Sequence, residues 1–352
     1  IVRESELKSA LHHYKKSLFT AAEQDVEKER LWQENILDIE RELGLLDRWY
    51  QKNYGSYFNQ VHKKFELGEI QRKLNKRHRI VRYILAEDDV YAFVVNKNGI
   101  ELHRMTDRNT LTKNLKECVQ LLSKPRSQDF KRTAQQLYEI LLPKELKGDD
   151  SKRDLVFVRD NELNYLPFEI LLDPNDLYLI EKFQVGYAPS LLLWNEQMKV
   201  KHSRRHKLGV FAPGYSERNG GDPDRGDNIA LQGAESEARQ IAALFEADIF
   251  LGNKASKQQF LQNANTYNLL HLAMHSNVNN LNAELTNLSF SPTDEDHQMF
   301  ISELYNMEIN ADLVVLSACN TGVGKLKKGE GILYVSRAFT YAGGPSIVMS
   351  LW

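Results

Sequence analysis

The segment Asp312-Leu-Val-Val-Leu-Ser-Ala-Cys-Asn-Thr-Gly322 constrains this chain more than any other stretch. Leu313 to Leu316 are branched aliphatics with neither charge nor helical period, the pattern of a strand covered on both faces in a parallel sheet. Such a strand delivers its last side chains to the carboxyl edge of the sheet, where open α/β sheets place their ligands. Cys319 stands at that edge. A loop then leads to Gly329-Glu-Gly331, and the amphipathic stretch from Ile332 to Tyr341 reads as a helix. Strand, cysteine, loop and helix make the local setting of a nucleophile, although a free cysteine also serves as a small buried hydrophobe.

Forty-four positions earlier, Tyr267-Asn-Leu-Leu-His-Leu-Ala-Met-His-Ser276 is a second apolar run, ending in His275. Two strands that end in a Cys and a His supply what thiol chemistry requires. The thiolate is the nucleophile, and a neighbouring imidazole stabilises it and later protonates the leaving group. His271 is the rival base: on one strand it shares a face with His275, so spacing alone does not separate them. His275 is preferred because it terminates the run. A metal site from Cys319, His271 and His275 lacks a second thiol or a carboxylate at ligand spacing, and Ser-Ala-Cys-Asn-Thr-Gly is not the Gly-x-Ser-x-Gly of an α/β-hydrolase. No metal and no cofactor is expected.

Residues 4 to 64 place Leu, Ile, Tyr and Trp among many charges, with no proline and two glycines, Gly44 and Gly55, which predicts amphipathic helices, clearest over Trp32 to Tyr50. A short helix follows around Glu66 to Leu74. From Ile80 to Met105 the period changes to two, with Asn98-Gly99 as a hairpin signal, predicting three antiparallel strands. Helical patterns return at Asn109 to Leu122 and Ser127 to Leu142. A strand over Asp154 to Val158, a Pro-containing turn and helix over Leu166 to Leu172 and a strand near Phe183 to Tyr187 suggest a sheet belonging to residues 80 to 190. The basic stretch Lys199 to Lys207 reads as a solvated linker.

The next strand is Leu208 to Ala212, followed by a loop from Gly214 to Asp227 rich in Gly, Asp and Arg. A helix over Glu235 to Phe245, a strand over Asp248 to Leu251, a helix capped by Ser256, the His strand, a hairpin over Leu285 to Pro292, a helix over Ile301 to Met307 and the Cys strand complete the alternation. Ile347 to Trp352 reads as one more strand. This order predicts an α/β fold, a mostly parallel sheet flanked by helices and preceded by an α+β region and N-terminal helices. The expected division is 1–78 helical, 79–200 α+β and 207–352 catalytic.

The 352 residues suffice for two or three cores, and a formal net charge of -2 gives no global attraction to nucleic acid or anionic lipid. Two cysteines, Cys118 and Cys319, in segments of different character imply a reducing compartment and a cytoplasmic location. No apolar run approaches membrane-spanning length. A chain beginning with Ile1 is expected to be an internal fragment or a trimmed product.

His271-Leu-Ala-Met-His-Ser276, Leu316-Ser-Ala-Cys-Asn-Thr-Gly322, Gly329-Glu-Gly331, Arg337-Ala-Phe339, Ala342-Gly343 and Ser350-Leu-Trp352 together resemble the caspase-like CHAT domain, a relative of caspases and separase. Leu163-Asn-Tyr-Leu-Pro-Phe-Glu169, Leu171-Leu-Asp-Pro174, Tyr187-Ala-Pro-Ser190 and Gln232-Gly-Ala-Glu235 extend the resemblance to residues 155 to 352. It implies a cysteine endopeptidase with a Cys319–His275 dyad and an oxyanion hole from the backbone N–H groups of Cys319 and Ser276. Ser276 stands where the family carries Gly. It also implies that Ser317, in the place of the caspase Gln, lines the substrate pocket, and that the strand around Ser350 receives an extended substrate. The family implies a partner-protein substrate, gasdermin-like in some bacterial defence systems, gating by upstream helical modules or a regulatory protein, a degenerate caspase-like half before the active one, and a domain that continues past Trp352. A protease-like scaffold without activity is the alternative.

Overall fold

The structure, a computed structural model, describes residues 7, 10–11, 13–15, 17–18, 26–53, 66–122, 124–147, 153–200, 206–215, 233–277, 285–293, 296–317 and 331–350. Contacts gather the chain into two compact units, residues 1–65 with 302–307 and residues 66–301 with 308–352. In the first, helix α1 (Val26–Asn53) extends the predicted Trp32–Tyr50 helix at both ends. Among the described residues no helix is long and apolar enough to cross a membrane.

The second unit opens with α2 (Leu67–Lys73) and a five-stranded sheet. Its strands β1 (His78–Leu85), β2 (Asp89–Asn96) and β3 (Gly99–Asp107) are antiparallel neighbours, as their alternating pattern requires. β4 (Arg153–Val158) and β5 (Phe183–Tyr187) add in parallel on the β1 side, giving the order β3-β2-β1-β4-β5. The β2–β3 turn pivots on Lys97-Asn98, one residue before the expected Asn98-Gly99. The Asn96 side chain causes the shift, accepting from the backbone N–H groups of Asn98 at 2.8 Å and Gly99 at 3.0 Å.

Helices α3 (Arg108–Leu121) and α4 (Gln128–Leu141) start where sequence caps them. Asp107 accepts from the Thr110 N–H and Ser127 from the Phe130 N–H. They bury Leu115, Cys118, Phe130 and Leu137 against the sheet, where Tyr83, Phe157 and Phe168 stack, Phe157 and Phe168 with centroids 4.3 Å apart. The helix predicted over Leu166 to Leu172 does not form. Pro167 has no N–H and holds Leu166 extended, so the chain makes two 3-10 turns, Asn161–Tyr165 and Phe168–Ile170, that bury Leu163, Leu166 and Phe168. After α5 (Leu191–Gln197) the chain enters a second sheet.

That sheet is wholly parallel among its described strands: β6 (Leu208–Pro213), β7 (Ala247–Gly252), β8 (Leu269–Ala273), β12 (Leu313–Ser317) and β13 (Ile347–Met349), in the order β13-β12-β8-β6-β7. One face carries α6 (Ala234–Leu244), whose Ala234 and Ala238 pack on Val210, Ala212 and Ala273. On β6 and β7 the other set of alternating side chains includes Phe211 and Phe250, stacked at 4.4 Å, with Phe260 of α7 (Lys257–Asn263) edge-on to Phe211. Gly209 lies so close to the Tyr267 ring that an added Cβ would sit 2.6 Å from it.

Beyond β8 the chain bends at Met274 and forms a separate antiparallel sheet, β9 (His275–Asn277), β10 (Asn287–Ser289) and β11 (Gln298–Phe300), with β10 in the middle. The hairpin expected over Leu285–Pro292 is therefore longer, joining β10 to β11. The helix expected to Met307 ends at Leu304. α8 (Gly331–Tyr341) follows the Cys strand as predicted.

Candidate active site

Chain order identifies a crevice in the parallel sheet. From β6 the chain moves outward to β7, then returns to β8 on the opposite side of β6 and continues outward to β12 and β13. The connections leave β6 and β8 in opposite directions, and such a switch point opens a cleft at the carboxyl ends of the two strands. The residues that follow those strands are Gly214-Tyr215 and Met274-His275.

Tyr215 and His275 meet there. Their rings are 4.6 Å apart and inclined at 46°. The Tyr215 hydroxyl accepts from the backbone N–H of His275 at 3.1 Å and donates to the Ser289 carbonyl at 2.5 Å, so one phenol ties the end of β8 to β10. Burial pushes the Tyr215 phenol well above its ordinary range, which keeps it a neutral donor at physiological pH. His275 is half-buried, whereas Tyr215 is 8% exposed.

His271 has a different neighbourhood. The break at Met274 puts the two histidines in different sheets, so their four-residue spacing does not make them equivalent. The His271 imidazole is buried, and its Nε2 lies 2.9 Å from Oε1 of Glu237 on α6. The other carboxylate oxygen of Glu237 accepts from the Ser317 hydroxyl at 3.1 Å. Ser317, the expected pocket residue, thus directs its hydroxyl to the α6 side of the sheet.

Cys319, the lysines of the following loop and most of Gly214–Asp227 lie outside the described residues. The strand that leads to Cys319 is described and is paired with β8: Leu313 with Leu269, through to Ser317 with Ala273. Ser276 is the second residue of β9, opposite Leu288, and is 1% exposed. Its hydroxyl has no hydrogen-bond partner among the described residues. Ser350 follows β13 and donates its backbone N–H to the Leu316 carbonyl at 3.1 Å. β13 is the outermost described strand of that sheet, and Val348 on it is exposed.

Two residues of this neighbourhood escape a reading by motif. Tyr215 sits two residues past the end of β6, at the same edge as the His and Cys strand ends, but its glycine-rich surroundings read as loop. Glu237 falls three residues after Ala234 and four before Ile241, on the apolar face of α6; an acid in that stripe is the signal. Away from the parallel sheet, Glu101, His103 and Glu145 have ligand atoms within 4.8 Å of one another, with His103 Nε2 2.9 Å from Oε1 of Glu145.

A family model of the CHAT domain matches residues 131–352, from the first turn of α4 through β4 and β5 of the first sheet and all the later strands. No curated protein matches the sequence. The parallel sheet flanked by helices is the fold that the match implies. The chain belongs to the CHAT domain family, whose caspase-like domains are related to proteases.

Proposed function

We propose that the chain is a cysteine endopeptidase that hydrolyses a partner protein through Cys319 and His275. The observation that carries this reading is the register of β8 and β12. Ala273 is paired with Ser317, and His275 and Cys319 each stand two residues further along. Neighbouring strands run about 4.8 Å apart, so equal counts from a shared rung suit a base and a nucleophile that must meet. The switch-point crevice beside β8 and the hydrogen bond from His275 to Tyr215 add to the case.

In the proposed reaction the Cys319 thiolate attacks the scissile carbonyl carbon, and the backbone N–H groups of Cys319 and Ser276 receive the oxyanion. Loss of one such donor costs about 3 to 4 kcal/mol in the barrier. The imidazolium of His275 protonates the departing amine. Water, deprotonated by His275, then hydrolyses the thioester, releasing the new carboxylate and restoring the thiol. The outer edge of β13 and Ser350 would take an extended segment by strand addition. The N-terminal helices are the proposed gating module.

The test is incubation with a peptide library, products being identified by mass spectrometry, for the wild type, Cys319→Ala and His275→Ala. Products made by the wild type and lost in both variants support the reading. Products that persist in Cys319→Ala contradict it, and no product from any form, including with candidate partners added, favours a protease-like scaffold.

A further inference from the structure

We propose that Glu237 is a positioning residue of the active site, clasping the His strand to the Cys strand through His271 and Ser317. The proposal rests on the Cys319–His275 reading above. Its basis is the last described rung of the backbone pairing. The β8–β12 ladder is described from Leu313–Leu269 to Ser317–Ala273, and β8 then bends at Met274 into the separate β9–β10–β11 sheet. In sequence both reactive groups lie two residues past the last described rung, so the side chains near that rung are placed to influence them. Tyr215 serves the His side of the gap. On the Cys side, the last described residue of β12 is Ser317, and its hydroxyl is held by Glu237.

Both oxygens of the carboxylate are engaged. Oε1 takes the buried imidazole of His271 at 2.9 Å and Oε2 takes Ser317 at 3.1 Å, one oxygen per strand. A carboxylate that receives His271 Nε2 fixes that nitrogen as the protonated one. The arrangement is not a catalytic triad, since the carboxylate, not the imidazole, stands in the middle, and the serine hydroxyl donates to that carboxylate rather than to a histidine. Glu237 itself is held at the start of α6, its backbone N–H donating to the Gly233 carbonyl at 2.7 Å, while Ala234 and Ala238 beside it pack on the sheet. One helix turn thereby contacts the middle of β8 and the last described residue of β12. Misplacement of reacting groups by about 1 Å can cost about a hundredfold in rate, which gives such a clasp its leverage.

Glutamine and alanine at position 237 separate the clasp from simple charge. In Glu237→Gln the amide oxygen still accepts from His271, and the amide N–H₂ donates to the Ser317 oxygen, which can accept as well as donate. Glu237→Ala removes both bonds. The readout is inactivation by a peptidyl chloromethyl ketone, resolved into the affinity constant and the rate constant of bond formation at Cys319, with urea unfolding as the stability control. The expected result is a fall of about 10- to 100-fold in bond formation for Glu237→Ala, affinity within about twofold of wild type, and rescue to within about threefold in Glu237→Gln. Ser317→Ala, which removes one arm and leaves packing nearly intact, should be intermediate and decides the matter if Glu237→Ala fails to fold. An exchange-protected His271 Nε2 proton should be visible by NMR in wild type and Glu237→Gln.

Bond formation at wild-type rate in Glu237→Ala and Ser317→Ala, with His275→Ala slow, overturns the clasp and leaves the dyad standing. Equal slowing in Glu237→Gln and Glu237→Ala overturns it in favour of charge. Wild-type labelling indifferent to His275 removes the dyad and the clasp together.

Discussion

Tyr215→Phe isolates the contact that anchors the base. The ring and its 4.6 Å contact with the imidazole are retained, and two hydrogen bonds are lost, one from the His275 N–H and one to the Ser289 carbonyl. Each is worth about 0.5 to 1.5 kcal/mol net, so local opening of the β9–β10 end should become easier by about 2 kcal/mol. At 1.4 kcal/mol for each factor of ten, this is about a 30-fold increase in opening. Hydrogen exchange of the His275 amide, followed by NMR in the regime where exchange reports the open population, reads that number directly. Amides in β1 and β2, on the other sheet, should be unchanged. A His275 exchange rate within twofold of wild type would refute the argument that the phenol holds the chain beyond β8, as would equal acceleration throughout all three sheets.

Other expectations follow from single sites. Gly343 has φ of +113° and an added Cβ would lie 2.4 Å from the Ile309 carbonyl oxygen, so Gly343→Ala should lose about 3 kcal/mol in urea unfolding; an unchanged midpoint contradicts this. The thiol of Cys118 is pushed up to about 12, by burial first and by the charge of Glu117 second. At pH 8 about one part in ten thousand is thiolate, so iodoacetamide should leave Cys118 of the native protein unmodified and react with it in urea; native labelling contradicts its burial. Asp173 is buried, and burial alone would raise its carboxyl, but hydrogen bonds from Leu177, Lys182 and Asn175 together hold it below the ordinary range. Its folded value being the lower one, its contribution is complete above about pH 4 and is lost as pH falls through the folded value. The urea midpoint of wild type should therefore drop more steeply below pH 4 than that of Asp173→Asn, and parallel curves would exclude the effect.

What was legible in sequence follows from the physics of each element. The central strands of the parallel sheet are apolar runs broken only by His271, and Leu313–Leu316 and Leu269–Ala273 could be read as such without knowing their neighbours. The cap Ser256 marked a helix start because a short oxygen-bearing side chain satisfies an otherwise unpaired N–H, and Asp107 and Ser127 do the same at α3 and α4. The segment around Pro167 misled, since Leu163, Leu166 and Ile170 have helical spacing while proline forbids the helix, and burial was met by two tight turns instead. His271 and His275 share an apolar run, and only the bend at Met274 separates them. Glu237 and Tyr215 were invisible to motif reading because their partners lie 34, 60, 74 and 80 residues away along the chain. Periodicity reports which face is buried, and says nothing of which buried polar group will be met there.

The central claim is that Cys319 is a nucleophile served by His275. The most direct measurement is the rate at which a peptidyl chloromethyl ketone modifies Cys319, compared among wild type, His275→Ala and His271→Ala, with the modified residue located by mass spectrometry. The account predicts modification confined to Cys319, slowed by about 100-fold or more in His275→Ala, and slowed less in His271→Ala, which loses one arm of the Glu237 clasp. Equal rates in wild type and His275→Ala, or a larger loss in His271→Ala than in His275→Ala, would contradict it.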